Sequence, residues 1–288
     1  MNLKITIFAY VLLCHITIAQ VNNNCSLSSN FSRIVVAGGS LTEIIYLLGG
    51  DDKIVGVDVT SNYPEETKNI KSIGYVRNVS TEGLLSLNPS LILGEDDMGP
   101  LNVIKQLKDM DIDLRIIQEE QNADGIVEKI RCVASIIGKE DFANQIIEKD
   151  INPILLRLKE NQSNNKKTNK KIMLVLSMQG TSPMVAGAGT SGDSFIRMIG
   201  GENIFNSFDG WKSVTAESVI NLNPDFIIIP EKELHQKSKV EEIVNNPIFL
   251  NTNAGKNKNF LFEDGMAILG FGPRTIYAAF DLSEKISD

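Results

Sequence analysis

Short apolar runs alternate with amphipathic stretches along most of this 288-residue chain. The short runs predict buried strands, and apolar residues at helical spacing predict helices. In the first half we predict strands at Arg33–Ala37, Ile54–Val57, Leu91–Leu93 and Leu114–Ile117, with helices at Leu41–Leu48, Ser80–Leu87 and Leu101–Met110. Strands and helices that alternate in this way are typical of an α/β fold with mostly parallel sheets.

The second half repeats the plan of the first. Its predicted strands are Ile172–Ser177, Phe226–Ile229 and Asn259–Phe262, and its predicted helices are Ser191–Ile199, Ala216–Leu222 and Gly272–Ser287. The segment Glu82–Pro89 also resembles Glu217–Pro224, since each ends a helix in an Asn-Pro pair before an apolar strand. This internal repeat predicts two similar lobes with a ligand cleft between them.

A single long helix is predicted between the two halves. Residues Glu140–Asn161 carry apolar side chains at helical spacing, and at 1.5 Å per residue they span roughly 33 Å. Residues Asn161–Lys171 have no apolar side chain, which predicts a surface loop. We therefore expect an N-terminal lobe over 33–139, an interlobe helix over 140–161 and a C-terminal lobe over 162–288.

The N-terminal residues have the pattern of a secretory signal peptide. A single cation, Lys4, precedes an apolar run over residues 5–18, and Ala19 completes a small-x-small cleavage pattern. We therefore predict that residues 1–19 are removed and that residues 20–32 form a polar leader.

Two kinds of membrane attachment are disfavoured. The apolar run is short for a membrane-spanning anchor, and no basic cluster follows it. A lipoprotein anchor needs a small residue before the cysteine, whereas Leu13 precedes Cys14 and Asn24 precedes Cys25.

Charge and residue counts disfavour several functional classes. Lys and Arg number 28 against 36 for Asp and Glu, and a net charge of −8 disfavours broad binding to nucleic acid or to an anionic membrane face. Without the signal peptide the chain keeps one histidine, His235, and two cysteines, Cys25 and Cys132. These are too few for a histidine-based zinc site, a Ser-His-Asp triad or a histidine-ligated cluster, which argues against a secreted α/β enzyme.

The two remaining cysteines can form a disulfide in an oxidising compartment. Cys132 lies on an apolar helical stretch, however, and Cys25 lies in the polar leader. This difference in setting favours two free thiols.

Tyr75 and Arg77 form a candidate ligand site in a loop after the second predicted strand. A phenolate oxygen is a hard anionic donor that suits ferric iron, and tyrosine is an axial ligand in some haem proteins. The Arg77 guanidinium favours the ionised phenol and can pair with a carboxylate. A half-buried surface tyrosine without a ligand is the commoner alternative.

Three further candidates lie in the second half. Trp211 is the only tryptophan and takes the position equivalent to Tyr75, which suits a flat apolar ligand, although it can equally pack under its own loop. Met178 and Gln179 follow the first strand of this half. The Met178 thioether can bind iron, but core packing is the commoner role of a methionine.

Glu82 and Glu217 take the same position in the repeat, near the N-terminus of a short helix. The helix dipole stabilises acids there, which is one explanation. The other is a pair of carboxylates, one on each lobe, presented to a basic partner. Acids on separate lobes are too far apart for glycosidase chemistry, which needs about 10 Å or less.

The segments Ile73–Arg77 and Leu269–Thr275 carry a specific family resemblance. They read Ile-Gly-Tyr-Val-Arg and Leu-Gly-Phe-Gly-Pro-Arg-Thr. From about Arg33 to Lys285 the chain resembles the haemin-binding substrate-binding proteins of bacterial haem ABC importers. These belong to the helix-hinged binding proteins that also serve cobalamin and siderophores. Further matching segments are Arg33–Glu43, Val55–Asp58, Glu82–Pro89, Met184–Gly187 and Gly200–Asn203.

The resemblance implies a periplasmic, monomeric protein that holds haem as a transported ligand and delivers it to an ABC permease in the inner membrane. Tyr75 matches the iron-ligating tyrosine of the family, and Arg77 matches the arginine beside it. Glu82 and Glu217 match the acids that dock arginines of the permease. The alternative is a protein of the same fold for a siderophore or cobalamin, against which Tyr75 and Arg77 argue.

The sequence departs from the family at one point. Some members have a histidine where this chain reads Ser177-Met178-Gln179, and its absence puts a second protein ligand in doubt. Arg274 matches a family arginine, for which we expect only a structural role near the last helix.

Overall fold

The computed structural model describes residues 23–110, 112–180, 182–231 and 243–287. The first lobe contains a parallel sheet of β1 (Ile34–Ala37), β2 (Ile54–Val57), β3 (Leu91–Glu95) and β4 (Leu114–Ile117), in the order β2-β1-β3-β4. Ile34 lies opposite Ile54 on one side and Leu91 on the other. The sequence predicts all four strands. Since they are parallel, their carboxyl ends and the loops that follow lie at one edge of the sheet.

Helices cover both faces of this sheet. They are α1 (Gly39–Leu47), α2 (Thr81–Leu85), α3 (Leu101–Asp109) and α4 (Ala123–Ile136). Successive side chains of a strand point to opposite faces, so Ile34 and Val36 pack with α1 and α4, while Val35 and Ala37 pack with α2 and α3. Ser80 is the N-cap of α2, as predicted, and its hydroxyl accepts a hydrogen bond from the Gly83 amide.

A long helical segment connects the two lobes, as predicted. It begins with α5 (Glu140–Ile146), continues through a π-helical turn at Ile147–Ile151 and ends with α6 (Asn152–Thr168). The π turn ends two residues before Pro153, which lacks the backbone N–H that a regular α-helix would use there.

The connecting helix continues past its predicted end at Asn161, so the prediction of a surface loop over residues 161–171 is wrong. Asn165 is buried, and its amide nitrogen donates to the carbonyl oxygens of Ile199 and Ser283. The side-chain amide of Asn161 donates to the Ser283 hydroxyl. Amide side chains therefore bind this stretch to the second lobe without any apolar residue.

The second lobe is built on a six-stranded mixed sheet. Along the chain its strands are β5 (Lys171–Gln179), β6 (Ser182–Ala186), β7 (Glu202–Asn203), β8 (Trp211–Ser213), β9 (Phe226–Glu231) and β10 (Phe260–Asp264). The order is β10-β9-β5-β6-β8, with β7 beside β5. The pairs β10–β9 and β9–β5 are parallel as expected, and β7 is also parallel to β5. Strand β6 runs antiparallel to β5 and β8. Strands β6, β7 and β8 are not among the predicted strands, because they are short or contain proline.

Six helices are described in this lobe. They are α7 (Ser191–Met198), α8 (Ala216–Leu222), α9 (Pro247–Leu250), α10 (Asn253–Asn257), α11 (Gly265–Leu269) and α12 (Pro273–Lys285). The long α12 packs along α6 and also reaches α1 and α4 of the first lobe.

One apolar core extends through both lobes. It includes Ile44 of α1, Ile130 of α4, Leu155 of α6, Leu174 of β5 and Ile276 of α12. Each sheet has one further apolar cluster on its outer side. The lobes therefore share packing at the base of the cleft in addition to the connecting helix.

Cys25 and Cys132 form a disulfide, and the prediction of free thiols is wrong. A short 3-10 helix at Asn23–Cys25 lies against α4 and β4, where the Asn24 amide donates to the Ile116 carbonyl. This contact brings the Cys25 and Cys132 Cα atoms within 4.8 Å, and their sulfur atoms are bonded. The polar leader thus packs on the first lobe.

Some predicted features lie outside the described residues. They are the signal peptide at residues 1–19 and His235. None of the described helices has both the length and the apolar character that a membrane-spanning helix needs.

Candidate functional site

Tyr75 lies on the loop that follows β2, directly before a 3-10 turn at Val76–Asn78. Backbone hydrogen bonds hold this loop on both sides: the Val59 amide donates to the Gly74 carbonyl, and the Gly99 amide donates to the Val76 carbonyl. Val76 is buried, whereas the Tyr75 side chain is 44% exposed. The loop therefore has a fixed backbone and presents a phenol to solvent.

Arg77 lies two residues further on, and its Nε is 2.8 Å from Oδ2 of Asp97. The hydrogen bond that Arg77 donates to Asp97 raises the pKa of Arg77, and the electrostatic interactions with Tyr75 and Glu95 act in the same direction. Among the described residues neither Nη atom of Arg77 has a hydrogen-bond partner. The Arg77 guanidinium is therefore a permanent cation close enough to Tyr75 to interact with it electrostatically. Its Nη atoms can still donate hydrogen bonds to a ligand.

A polar network lies under this edge of the first lobe, where β1 and β3 end. The Glu95 carboxylate accepts hydrogen bonds from the amide and the hydroxyl of Ser40, at 3.1 and 2.6 Å. The buried Lys129 ammonium donates to the Ser40 hydroxyl and pairs with Glu119. Burial raises the pKa of Glu95 to about 7, against the opposing charge of Lys129.

The backbone conformation at Gly38 and its closeness to Glu95 both require a glycine. Its φ is +149°, and a Cβ atom there would lie 2.4 Å from Cδ of Glu95. Glu95, Lys129 and Asp97 are not among the residues predicted from the sequence. The run Glu95-Asp-Asp97 after a predicted strand was the signal that could have indicated them.

Met178 and Gln179 lie at the end of β5, in the antiparallel pairing with β6. Met178 is half-buried against the outer core of the second lobe. Gln179 is exposed and accepts a hydrogen bond from the Ser213 hydroxyl at 2.7 Å. The two side chains thus differ in environment, and their contact with a ligand remains a prediction.

Trp211 is the first residue of β8 and is half-buried against the shared core. A Cβ atom at Gly192 of α7 would lie 2.9 Å from the indole ring, so the ring packs directly on that helix. Part of the indole therefore has a packing role, and its contact with a ligand also remains a prediction.

Glu82 and Glu217 have matching local structures in the two lobes. Each is an exposed residue at the second position of a short helix, α2 or α8. The N-caps Ser80 and Thr215 accept hydrogen bonds from the amides of Gly83 and Ser218. The sequence repeat therefore corresponds to a structural repeat at these acids.

Arg274 bridges the two lobes beside the cleft. Its guanidinium donates to Oε1 of Glu43 on α1 and lies 3.1 Å from Oδ1 of Asp264 at the end of β10. It also stacks on the Tyr63 ring, 4.0 Å from the centroid. The expected structural role of Arg274 is thus an ion pair between lobes.

A cavity of about 610 Å³ lies between α1 and α12 and includes Glu43, Tyr63, Arg274 and Tyr277 in its walls. Neither Tyr75 nor the other predicted ligand residues line it. Within the described part of the chain, no group of three or more His, Cys, Asp and Glu residues is arranged to hold a metal ion.

The sequence matches known binding proteins over most of its length. A family model described as "Periplasmic binding protein" matches residues 34–264. An uncharacterized ABC transporter substrate-binding lipoprotein, YvrC of Bacillus subtilis (strain 168), is 27% identical over 271 residues, covering 92% of this chain and 83% of the relative. The vitamin B12-binding protein of Yersinia pestis (strain Pestoides F) is 28% identical over 202 residues, covering 68% of this chain and 69% of that protein.

The fold matches that of a solved binding protein. The apo form of the periplasmic heme-binding protein RhuT from Roseiflexus sp. RS-1 has a TM-score of 0.78 and 30% identity, covering 90% of this chain and 99% of the other. The predicted two-lobe α/β fold is therefore confirmed. The resemblance to haem-binding proteins is confirmed for the fold and the family. The ligand is not decided by it, because a vitamin B12-binding protein is also among the relatives.

Proposed function

The chain belongs to the periplasmic binding protein family, and on that basis we propose that it binds haem between its lobes and delivers it to an ABC permease. Proteins with this family and fold are the substrate-binding components of transporters. Haem is the transported ligand in this proposal and has no catalytic task. In the same proposal the protein is a monomer in the periplasm, and it releases haem to the permease at the outer side of the inner membrane.

The observation that carries the proposal is that one fixed loop holds both the exposed Tyr75 phenol and the Arg77 guanidinium. The exposed phenol can reach ferric iron, and the nearby guanidinium can offset the negative charge of an iron-bound phenolate. The phenolate oxygen is then a strong axial ligand. Because the porphyrin supplies the four ring nitrogens, one protein ligand is enough to capture it.

The second lobe supports the other side of a flat ligand in this proposal. Trp211 is half-buried against the core that the two lobes share and offers apolar surface there, so it is the main candidate. Met178 packs on the outer core at the opposite face of the sheet. Gln179 is exposed and offers a polar group that is bonded to Ser213. A porphyrin is largely apolar, so burial between two lobes removes its surface from water.

Glu82 and Glu217 are proposed to dock the permease. Each lobe presents one exposed carboxylate at an equivalent helix start. Such a matched pair suits a two-fold partner with one arginine for each lobe. Docking through both lobes lets the permease change their separation and release the ligand.

Vitamin B12 is the second candidate ligand, because a vitamin B12-binding protein is among the relatives. Its corrin ring carries amides in place of propionates, and its cobalt is already ligated on one face. It therefore makes no use of a phenolate and a neighbouring guanidinium. A siderophore would also fit the family but gives no reason for a single tyrosine.

Titration of the mature protein with haemin and, in parallel, with cyanocobalamin tests the proposal. We expect haemin to bind with a visible charge-transfer band of a ferric phenolate. Tyr75→Phe should remove that band and weaken binding by at least about tenfold, the cost of roughly 1.4 kcal/mol of lost ligation. Phe142→Leu is the control, since that ring is 44% exposed on α5 and lies outside the interlobe cavity. Tighter binding of cyanocobalamin, or an unchanged haemin spectrum in Tyr75→Phe, would overturn the proposal.

A further inference from the structure

We infer that Asp97 is a positioning residue for ligand capture: it holds the Nε edge of Arg77 and leaves the Nη edge to meet an anionic oxygen of the bound complex. This inference rests on the proposed function. The anionic oxygen is either the Tyr75 phenolate or a propionate of the porphyrin, and these share the same chemistry toward a guanidinium.

Asp97 and Tyr75 belong to two loops that are joined by their backbones. The Gly99 amide donates to the Val76 carbonyl, and the Val79 amide donates to the Gly99 carbonyl. Met98 is buried between them, and its amide donates to the Glu95 carbonyl. The Asp97 carboxylate therefore has a fixed position relative to the Tyr75 loop.

The contact uses only part of the guanidinium. Nε donates to Oδ2 of Asp97 at 2.8 Å, and within the described residues both Nη atoms keep their donors free. An arginine fork can bind a second acid through its Nη edge while its Nε is occupied. Asp97 and Arg77 are thus two of the three members of an acid–arginine–anion arrangement, and ligand binding would supply the anion.

Asp97 also removes disorder that ligand binding would otherwise have to overcome. The Arg77 side chain is 63% exposed, so without a partner it would sample many rotamers. The Asp97 side chain is 34% exposed, and its Oδ1 atom is buried without a hydrogen-bond partner in the described structure. A carboxylate held in this way orders Arg77 before the ligand arrives.

Two explanations of the role of Asp97 predict opposite effects of its removal on ligand affinity. By Coulomb's law, a carboxylate close to an anionic ligand disfavours binding, so its removal should tighten binding. If Asp97 acts by orienting Arg77, its removal should weaken binding, and only while Arg77 is present.

A double-mutant cycle for haemin affinity uses these opposite signs. The four proteins are the wild type, Asp97→Ala, Arg77→Met and the double variant. We expect Asp97→Ala to weaken haemin binding about tenfold, as for a charge-assisted hydrogen bond. In the Arg77→Met background the same change should cause no loss. Asp96→Ala is the matched control, because Asp96 is exposed and accepts only a 3.3 Å hydrogen bond from the Glu119 amide.

Three further measurements complete the design. Asp97→Glu keeps the carboxylate and should recover most of the affinity, which a merely structural effect would not give. Thermal unfolding midpoints show that each variant is folded, and Asp97→Asn replaces Asp97→Ala in the cycle if the latter does not fold. Repeating the cycle with ferric protoporphyrin dimethyl ester, which has no propionate charge, identifies the anion. If the coupling between Asp97 and Arg77 persists, the anion is the Tyr75 phenolate. If the coupling vanishes, the anion is a propionate.

Two outcomes overturn the inference. One is tighter haemin binding in Asp97→Ala, and the other is an equal loss with and without Arg77. A wild-type protein that fails to bind haemin overturns the proposed function itself, and so is distinguished from either result of the cycle.

Discussion

Arg274 donates two hydrogen bonds to one oxygen of Glu43, from Nε at 3.0 Å and from Nη2 at 2.8 Å, across the boundary between the lobes. Glu43 is almost completely buried on α1, and Arg274 is partly buried on α12. Burial raises the pKa of Glu43, and Arg274 opposes that rise. The pair therefore fixes the two lobes beside the cleft, and either partner alone would be left as a buried charge.

Arg274→Met should lower the free energy of unfolding by about 3 kcal/mol, because it leaves Glu43 buried without its counter-ion. Adding Glu43→Gln to this variant should restore part of the loss, since the buried charge is then absent. Urea unfolding followed by circular dichroism measures both. A double variant less stable than Arg274→Met would show that the pair does more than neutralise charge.

Glu95 should make stability depend on pH. Its folded pKa of about 7 lies above the ordinary value of 4.5, so the folded state holds the proton more tightly. Its contribution is fully favourable below pH 4.5 and is lost as the pH rises to about 7, by about 3 kcal/mol in total. Glu95→Gln should remove this part of the slope.

The measurement is chemical unfolding at several pH values between 4.5 and 8, with the wild type subtracted from each variant. Glu160→Gln, an exposed acid on α6, is the control and should leave the slope unchanged. Parallel curves for the wild type and Glu95→Gln would mean that Glu95 titrates normally in the folded protein.

Reduction of the disulfide should destabilise the protein. The bond closes a long loop, with a sequence separation of 107 residues, and crosslinks of this kind contribute about 2–4 kcal/mol. The double variant Cys25→Ser/Cys132→Ser should therefore unfold at lower urea concentration than the oxidised wild type. Reducing agent should shift the wild type toward the variant and leave the variant itself unaffected. Mass spectrometry after thiol alkylation supplies the independent check, and two alkylated cysteines in the native protein would contradict the bond.

Reversal of the two docking acids should separate binding from transport. Glu82→Lys/Glu217→Lys should bind haemin like the wild type, because both side chains are exposed at helix starts outside the Tyr75 loop. Uptake of haem by cells that depend on the importer should fall at least about tenfold, since two attractive contacts become repulsive. Glu148→Lys/Glu160→Lys makes the same charge change on the exposed connecting helix. Equal uptake by the two double variants would place the docking surface elsewhere.

The local periodicity of the sequence determined the main elements of the fold. Strand β4 and helix α8 have the predicted bounds, and the N-cap Ser80 is in its predicted place. Such features depend on neighbouring residues, which a sequence pattern records directly. The repeat of Glu82 and Glu217 is of the same kind, because each lies in an equivalent local unit.

Contacts between distant residues were decided only by the tertiary structure. Lys129 meets Ser40, and Arg274 meets Glu43, because the packing of the helices on the sheet and of one lobe on the other brings separate helices together. The helix through Asn165 and the disulfide at Cys132 depend in the same way on surfaces contributed by other parts of the chain. Burial and pairing are properties of the assembled fold, so the sequence supplied the candidates Tyr75 and Arg77, while only the fold supplied Asp97 as the partner of Arg77.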